Sequence, residues 1–283
     1  MPPRTPQEAN PPDRTPSGRA QASATPPAEP RRTHAGTRAL VTGAAQGIGR
    51  AIAARLAADG ALVAVNDRVP GPRLDEVADA VGGVRAPADV SDRALVRDLV
   101  ARLSEEIGDI DVLVCNAAYM TMGELATHDE DDWWKVVDTN LTGTFHLVQA
   151  VLPGMRRRGR GRIVVVSSEW GVTGWPGATA YAASKAGLIS LTKSLGRELA
   201  PQGILVNAVA PGVTDTPQLR VDAEAAGLSL DEMRRSYAAG IPLGRIGRPE
   251  EIAAAVALLT DFRIGSLVGQ TLQINGGTTR CRA

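Results

Sequence analysis

The sequence has few cysteines, few lysines and few aromatic residues, and each scarcity bears on function. Its two cysteines among 283 residues, Cys115 and Cys281, cannot form a disulfide framework and lack metal-ligand spacing, so we expect no metal site. A reducing cytoplasm is the simplest location for such a chain. No apolar run approaches the roughly 20 residues that a membrane-spanning helix needs. Positive and negative side chains balance at 31 each, so no net field attracts nucleic acid.

The first 35 residues differ in composition from the remainder. Nine of the 19 prolines lie there, several arginines accompany them, and no hydrophobic periodicity is present. We interpret residues 1–35 as a disordered tail and residues 36–283 as one folded domain. The segment lacks the apolar core of a secretory signal. An organelle transit peptide is disfavoured because the prolines would break its amphipathic helix.

From residue 38 onward, short apolar runs alternate with segments of helical periodicity. The predicted strands are RALVT, ALVAVND, VRAPADV, IDVLVCN, GRIVVVSS, ILVNAVA and GQTLQING. This alternation predicts an α/β fold with a single doubly wound parallel sheet, the Rossmann type, and helices on both faces. One connection departs from the pattern. Residues 211–247 are long and rich in glycine and proline, so we expect them to form a lid over a substrate.

A glycine-rich turn follows the first predicted strand. The stretch TGAAQGIG, which includes Gln46 and Ile48, places Gly43, Gly47 and Gly49 before the first predicted helix. Glycines here allow a tight turn, close approach of the backbone to a pyrophosphate, and close packing of helix on strand. The helix N-terminus adds free N–H groups and the positive end of a dipole. The turn therefore predicts a dinucleotide site.

The residue that ends the second predicted strand bears on the choice of cofactor. Asp67 can accept hydrogen bonds from the adenosine ribose hydroxyls and would repel a 2′-phosphate, which favours NAD over NADP. Arg68 follows directly and can hold a 2′-phosphate. Gln46, where a cation would help NADP, is neutral. A solvated turn carboxylate is the alternative interpretation of Asp67.

Two rare residue types occur together in YAASK. The chain has three tyrosines and three lysines, although lysine and arginine together number 31, and Lys185 lies four residues after Tyr181. On a helix, residues four apart share one face. An ammonium beside a phenol favours the phenolate, so we expect Lys185 to lower the tyrosine pKa from its usual value near ~10. Lysine suits this role because its charge is compact.

The motifs together resemble those of the short-chain dehydrogenase/reductase family. Besides TGAAQGIG and YAASK, the sequence has CNAA, NLTG, SS before YAASK, PGVTDT and GQTLQINGG in the family's order, covering about residues 38–277. The resemblance implies hydride transfer between a nicotinamide and a carbinol or carbonyl carbon, usually in a homotetramer. Tyr181 matches the family's acid/base and Lys185 its lysine. Ser168 matches its catalytic serine, and Asn140 the asparagine of its proton relay.

The resemblance also implies a set of cofactor contacts. Asp89 and Val90 match the pair that lines the adenine, and Asn116 matches the residue near the cofactor ribose. The clamp on the nicotinamide carboxamide is matched by Pro211, Gly212 and Thr214, and Thr216 lies nearby on the phosphate side of the nicotinamide. The family's usual NNAG is CNAA here. Because Ala118 replaces glycine, we expect the loop over the cofactor to differ slightly. We expect Cys115 to be a small core residue.

Open α/β sheets bind ligands at the carboxyl ends of their strands, and this places the expected substrate wall. The wall comprises Tyr119, Met120, Glu169, Trp170, Trp175 and residues 218–237. The two tryptophans can stack on a ring or join the lid to the core. Glu169 can bind a polar substrate group or be an exposed turn carboxylate.

These observations predict an NAD-dependent oxidoreductase acting on a secondary alcohol or ketone, with a bulky alicyclic, steroid-like or polyketide-like substrate. One alternative is an NADPH-dependent 3-oxoacyl-thioester reductase acting on acyl-carrier-protein or CoA substrates. A remote alternative is a non-catalytic nucleotide sensor. The helices bearing Phe145 and Leu188 are apolar over much of their surface, so we expect them to pack against symmetry mates in a homotetramer.

Overall fold

The computed structural model describes residues 32–279, whose centre is a seven-stranded parallel sheet. Its strands are β1 (Arg38–Val41), β2 (Leu62–Val65), β3 (Val84–Arg85), β4 (Val112–Cys115), β5 (Gly161–Val166), β6 (Ile204–Pro211) and β7 (Thr271–Ile274). They lie in the order β3-β2-β1-β4-β5-β6-β7, and each neighbouring pair is parallel. The predicted doubly wound sheet is confirmed, and the chain reverses its direction of winding between β1 and β4.

The helices cover both faces of the sheet. They are α1 (Gly47–Ala58), α2 (Pro72–Val81), α3 (Arg93–Glu106), α4 (Glu130–Val137), α5 (Gly143–Arg158), α6 (Trp170–Thr173), α7 (Thr179–Leu199), α8 (Gln218–Ala226), α9 (Leu230–Ala238) and α10 (Pro249–Thr260). No helix within residues 32–279 has the length and apolar character to cross a bilayer.

Alternate side chains of each strand enter two separate apolar cores. On β1, Val41 faces the core that α1, α2 and α10 complete, and Leu40 faces the core of α3, α5 and α7. On β4, Val114 and Leu113 divide in the same way. This period of two explains why the strands are apolar throughout, since both faces are covered.

Two elements beside β2 differ from the prediction. The helix α2 was not predicted, although Leu74, Val77 and Ala78 give it a buried stripe. The predicted third strand VRAPADV is reduced to the two residues of β3. The backbone N–H groups of Ala86 and Ala88 still donate to the carbonyls of Val65 and Asp67, at 2.9 and 3.0 Å, so the pairing with β2 continues past β3 without regular strand geometry.

One predicted long helix is divided by a wider turn. The acidic segment from residue 128 to Met155 was expected to be continuous, whereas α4 and α5 are joined by a π-helical turn, Asp138–Thr142. Such turns insert a residue into the helix and are frequent at functional sites. Here the turn carries Asn140, which is buried.

The long connection after β6 contains two short helices with a small core of their own. Leu219 and Ala223 of α8 pack with Met233 of α9, and Ile241 and Ile246 complete this cluster. The hydroxyl of Ser229 caps α9, and the carboxylate of Glu232 accepts a hydrogen bond from the Ser229 backbone N–H at 2.8 Å. The segment is therefore more helical than its glycines and prolines suggest.

The fold begins earlier than the predicted boundary at residue 36. His34 is fully buried, and its Nε2 lies 2.9 Å from the Thr260 hydroxyl at the end of α10. Its backbone N–H donates to the carbonyl of Asp59, just after α1. His34 thus joins the chain ahead of β1 to two helix ends. Residues 1–31 of the predicted tail lie outside the described residues.

The burial of His34 predicts a pH-dependent stability. Burial lowers the pKa of its imidazole from the usual 6.5, outweighing the nearby carboxylates of Asp59 and Asp261, and Arg55 lowers it further. The unfolded chain therefore takes up a proton more readily than the folded protein, and folding stability decreases as the pH falls below about 6.5. We expect the Tm of the wild type to drop more than that of His34→Gln between pH 7.5 and about 5.5. Parallel Tm profiles in thermal unfolding would contradict this account.

Candidate active site

Two adjoining concavities lie at the carboxyl edge of the sheet, where the winding reverses. The first, called the cofactor cleft, is lined by Gly43, Gln46, Gly47, Asp67, Arg68, Asp89, Val90 and Tyr119, among others. The second, called the substrate cavity, is lined by Met120, Ser168, Glu169, Trp170, Tyr181, Lys185, Pro211, Gly212, Thr214 and part of the lid. Ile48, Asn116 and Thr216 border both, so the two concavities are continuous.

The glycine-rich turn has the conformation and the space that a pyrophosphate requires. Gly43 and Gly47 have φ of +60° and +55°, a region that other residues rarely adopt. A Cβ at Gly49 would lie 2.2 Å from the Gly43 carbonyl oxygen, so this glycine packs the helix against the turn. The helix α1 begins at Gly47, and no side chain caps its N-terminus. Its first N–H groups are thus available to an anion, and these residues fit a dinucleotide phosphate.

At the adenosine end of the cofactor cleft, Asp67 and Arg68 line the cleft and Arg73 lies beside it. Asp67 accepts hydrogen bonds from the backbone N–H groups of Ala45, at 3.2 Å, and Arg68, at 2.8 Å. These bonds hold the carboxylate at the cleft. The exposed Arg68 lies beside it, and Arg73 donates to the side-chain oxygen of Gln46 at 3.3 Å. Arg73 was not predicted to belong to the site, because its proximity depends on the unpredicted helix α2.

The predicted adenine and ribose contacts also line the cofactor cleft. The side-chain amide of Asn116 donates to the carbonyl oxygens of Thr42, at 2.8 Å, and Gly43, at 3.1 Å, so it joins β4 to the glycine-rich turn. Asp89 accepts from the hydroxyl of Ser91 at 2.6 Å. Cys115 is buried, and burial raises the pKa of its thiol to about 12, as befits a core side chain.

The predicted acid/base, lysine and serine come together at the start of α7. The Lys185 Nζ lies 5.3 Å from the centre of the Tyr181 ring and donates to the Val166 carbonyl at 2.8 Å. Ser168, two residues beyond β5, is close enough to Tyr181 for its hydroxyl to hydrogen-bond the phenolate form. The neighbouring Ser167 points elsewhere, since its hydroxyl donates to the Lys185 carbonyl at 2.8 Å.

Burial dominates the acid–base properties of this group. It raises the pKa of Tyr181 to about 12, against an opposing effect of the Ser168 hydroxyl, and lowers the pKa of Lys185 to about 8. Burial therefore opposes the lowering of the tyrosine pKa that the YAASK spacing predicted. The phenol is protonated at neutral pH and suited to donating a proton.

The side chain of Asn140 connects the segment after β4 to α7 by hydrogen bonds. Its side-chain amide donates to the Tyr119 carbonyl at 3.1 Å and to the Ser184 hydroxyl at 3.0 Å, and its oxygen accepts from the Tyr119 N–H at 2.8 Å. Ser184 in turn donates to the Tyr181 carbonyl at 2.8 Å. Within residues 32–279 the Asn140 side chain makes no hydrogen bond to Lys185. Ser184, which lies within YAASK but was not predicted to be a site residue, is the link between Asn140 and the tyrosine.

The aromatic residues of the expected substrate wall form a stack. The rings of Trp170 and Trp175 are 5.0 Å apart and nearly parallel, with 8° between their planes. Trp170 also meets the Tyr181 ring edge-on at 5.9 Å and borders the substrate cavity. Trp175 borders neither concavity and is 48% exposed, so it supports Trp170 from outside.

Two other members of the expected wall are placed differently. Tyr119 lines the cofactor cleft, where Lys135 Nζ lies 4.4 Å above its ring and its hydroxyl donates to Asp132 at 3.2 Å. Glu169 is buried, not exposed as one interpretation had it. The lid contributes Leu219, Asp222 and Tyr237 to the substrate cavity, within the expected residues 218–237.

Comparisons with known proteins agree with this geometry. The family model described as enoyl-(acyl carrier protein) reductase matches residues 43–279. The 3-oxoacyl-[acyl-carrier-protein] reductase FabG of Thermotoga maritima is 40% identical over 243 residues, 84% of this chain and 96% of that protein. The FabG protein of Escherichia coli is 39% identical over 241 residues, with the same coverage. The ligand-free structure of Thermoplasma acidophilum aldohexose dehydrogenase has a TM-score of 0.81 and 30% identity, covering 88% of this chain and 96% of that one.

A parallel sheet with a glycine-rich phosphate turn, and a serine, a tyrosine and a lysine at its carboxyl edge, defines a nicotinamide-dependent oxidoreductase. The matched residues extend over most of the folded chain. The chain belongs to the short-chain dehydrogenase/reductase family.

The different contacts of the two neighbouring serines provide a matched pair of variants. Ser168→Ala removes the hydroxyl beside Tyr181, and we expect kcat to fall by about a hundredfold or more with little change in Tm. Ser167→Ala removes the bond to the Lys185 carbonyl, and we expect it chiefly to lower stability, by about 1 kcal/mol. Steady-state kinetics and thermal unfolding distinguish the two effects. A larger loss of kcat in Ser167→Ala would mean that the roles of the two serines are reversed.

Proposed function

We propose that this protein is an NADH-dependent reductase that converts the ketone of a 3-oxoacyl thioester into the secondary alcohol. The observation that carries the proposal is the buried phenol of Tyr181 beside the Ser168 hydroxyl, at the edge of an apolar cavity. The relatives from Thermotoga maritima and Escherichia coli are 3-oxoacyl-[acyl-carrier-protein] reductases. These relatives fit the predicted alternative, a 3-oxoacyl thioester, better than the bulky alicyclic, steroid-like or polyketide-like substrate of the main prediction.

The residues of the cofactor cleft are suited to a dinucleotide. The N–H groups at the start of α1 would hold the pyrophosphate, Asp67 the adenosine ribose, and residues 211–214 the nicotinamide carboxamide. When bound, the reduced nicotinamide supplies a hydride to a carbonyl carbon.

The residues of this chain supply the proton and orient the ketone. Ser168 hydrogen-bonds the carbonyl oxygen and stabilises the negative charge that develops on it. Tyr181 donates its phenolic proton to the same oxygen, so that one hydride and one proton convert the ketone to an alcohol. Lys185, whose ammonium lies beside the ring, offsets the charge of the phenolate that remains. Solvent then returns the proton to Tyr181.

The substrate cavity supports an acyl substrate through its lining. Met120, Val213, Leu219 and Tyr237 give it apolar walls, and Ser168 and Tyr181 supply hydroxyl groups among its polar residues. A cavity of this kind orients a ketone at one end and accepts a hydrocarbon chain along its walls. A ketone on a flat ring is a second candidate, because the face of the Trp170–Trp175 stack is suited to a ring.

The proposed assembly is a homotetramer in the cytoplasm. Phe145 of α5 is 49% exposed and borders a shallow groove with Leu141 and Leu191. An exposed aromatic residue on a helix face suits an interface between copies of the chain. Leu188 itself is buried in the core of this chain, and the helix that bears it contributes Leu191 to the groove.

The substrate proposal is tested by following NADH consumption with acetoacetyl-CoA and with cyclic ketones. We expect higher kcat/KM for the thioester. Tyr181→Phe should lower its turnover by about a thousandfold or more while leaving NADH affinity within about threefold, because the proton donor is lost and the cleft is not. A preference for the cyclic ketones would favour the second candidate. Normal turnover by Tyr181→Phe would refute the assignment of the acid.

The choice of NADH over NADPH depends on the carboxylate of Asp67. We expect the wild type to bind NADH more tightly, because Asp67 repels a 2′-phosphate, even though Arg68 and Arg73 lie near. Asp67→Ser should lower the preference for NADH, measured as the Kd for NADPH divided by the Kd for NADH, by about tenfold. This corresponds to about 1.4 kcal/mol of binding free energy. Calorimetric titration measures both ligands, and Arg68→Ser is the matched control. Tighter binding of NADPH by the wild type would overturn the cofactor proposal.

A further inference from the structure

Glu169 carries a buried carboxyl between Ser168 and Trp170. The residue is 5% exposed, and its Oε2 atom is buried without a hydrogen-bond partner. Within residues 32–279 it forms no ion pair. A buried polar group of this kind lowers stability relative to an apolar side chain of similar size. The reaction as proposed assigns it no task.

The carboxyl lies where the segments after three neighbouring strands meet. The Glu169 backbone N–H donates to the Pro211 carbonyl at 2.9 Å, at the end of β6. The Gly212 N–H donates to the Ile274 carbonyl of β7 at 3.0 Å. A Cβ at Gly212 would lie 3.2 Å from Glu169 Oε1 and 2.8 Å from the Asn275 Cβ. The carboxyl therefore lies beside Gly212, and the space between them is too small for a side chain.

The polar groups around the carboxyl come from the same segments. The Thr278 hydroxyl, the Asn275 side-chain amide and the Val213 backbone N–H all favour its charged form, whereas burial opposes that form more strongly and raises the pKa of Glu169. Relative to a free glutamate, burial thus shifts Glu169 towards the neutral acid, and that form can donate as well as accept a hydrogen bond. Glutamine has the same shape and the same capacity, so it is the matched replacement.

We infer that Glu169 is a positioning residue. Its carboxyl group holds residues 212–214, by hydrogen bonding, in the position that the nicotinamide half of the cofactor requires. The inference rests on the proposed function, which assigns the carboxamide to these residues. Although Glu169 belongs to the lining of the substrate cavity, its Oε2 is buried, so this atom faces the protein and not a substrate. Glu169 acts on the cofactor through Gly212 and Val213, and its effect is confined to the nicotinamide end.

Because the effect of Glu169 is confined to the nicotinamide end of the cofactor, the affinities of two ligands, one with and one without nicotinamide, test the inference. Adenosine diphosphate ribose has every part of NADH except the nicotinamide, so it does not use residues 212–214. Isothermal calorimetry with both ligands compares the wild type with Glu169→Gln and Glu169→Met, and thermal unfolding without ligand measures the stability of each. A side chain with only a structural role would change the affinity for both ligands together.

We expect Glu169→Met to unfold at or above the wild-type Tm, because an unpaired buried oxygen is removed. Its Kd for NADH should rise by about tenfold, while its Kd for adenosine diphosphate ribose stays within about twofold. Glu169→Gln should bind both ligands within about threefold of the wild type.

Several results would overturn the inference. They are an unchanged Kd for NADH in Glu169→Met, an equal loss for both ligands, a lower Tm in that variant, or a loss in Glu169→Gln as large as in Glu169→Met. Absence of NADH binding by the wild type is a different result, because it refutes the proposed function itself.

Discussion

The site depends on a reciprocal pair of hydrogen bonds between the end of β5 and the first turns of α7. The Lys185 side chain donates to the Val166 carbonyl, and the Ser167 side chain donates to the Lys185 carbonyl, each at 2.8 Å. Gly171 lets α6 approach closely, since a Cβ there would lie 2.7 Å from the Lys185 carbonyl carbon. These contacts fix one strand end against one helix. Ser168 follows from the strand and Tyr181 precedes Lys185 by one helical turn, so the two hydroxyls have little freedom to separate.

The same burial that fixes the geometry strengthens the preference of Tyr181 for its protonated form. A phenol whose pKa is about 12 carries its proton at neutral pH, which suits reduction of a ketone. The reverse reaction requires the phenolate, and the Lys185 ammonium and the Ser168 hydroxyl are the groups that favour it. Because burial also lowers the pKa of Lys185 to about 8, that support weakens above this pH. Reduction and oxidation therefore depend differently on pH, although the same residues serve both.

The parts of the fold that main-chain geometry specifies could be predicted from the sequence. Glycines in the phosphate turn, apolar strands and the spacing of Tyr181 and Lys185 each have a local cause. The π-helical turn around Asn140 could not be predicted, because a continuous helical pattern runs through it. The burial of Glu169 could not be predicted from the sequence either, since its neighbours come from segments more than 40 and more than 100 residues later in the chain. The raised pKa of Tyr181 has the same origin, as burial depends on the packing of the whole fold.

The two halves of the site differ in what a substitution would disturb. The cofactor half is built from backbone groups and from glycines whose space is filled by neighbouring strands, so few changes there preserve the sheet. The substrate half is walled by the lid, and the lid packs around its own cluster, which includes Leu219 and Met233. Exchanges on the cavity side of that cluster leave both cores of the sheet intact. Substrate preference can therefore diverge while hydride chemistry is retained, which agrees with a family whose members here include an acyl-thioester reductase and a sugar dehydrogenase.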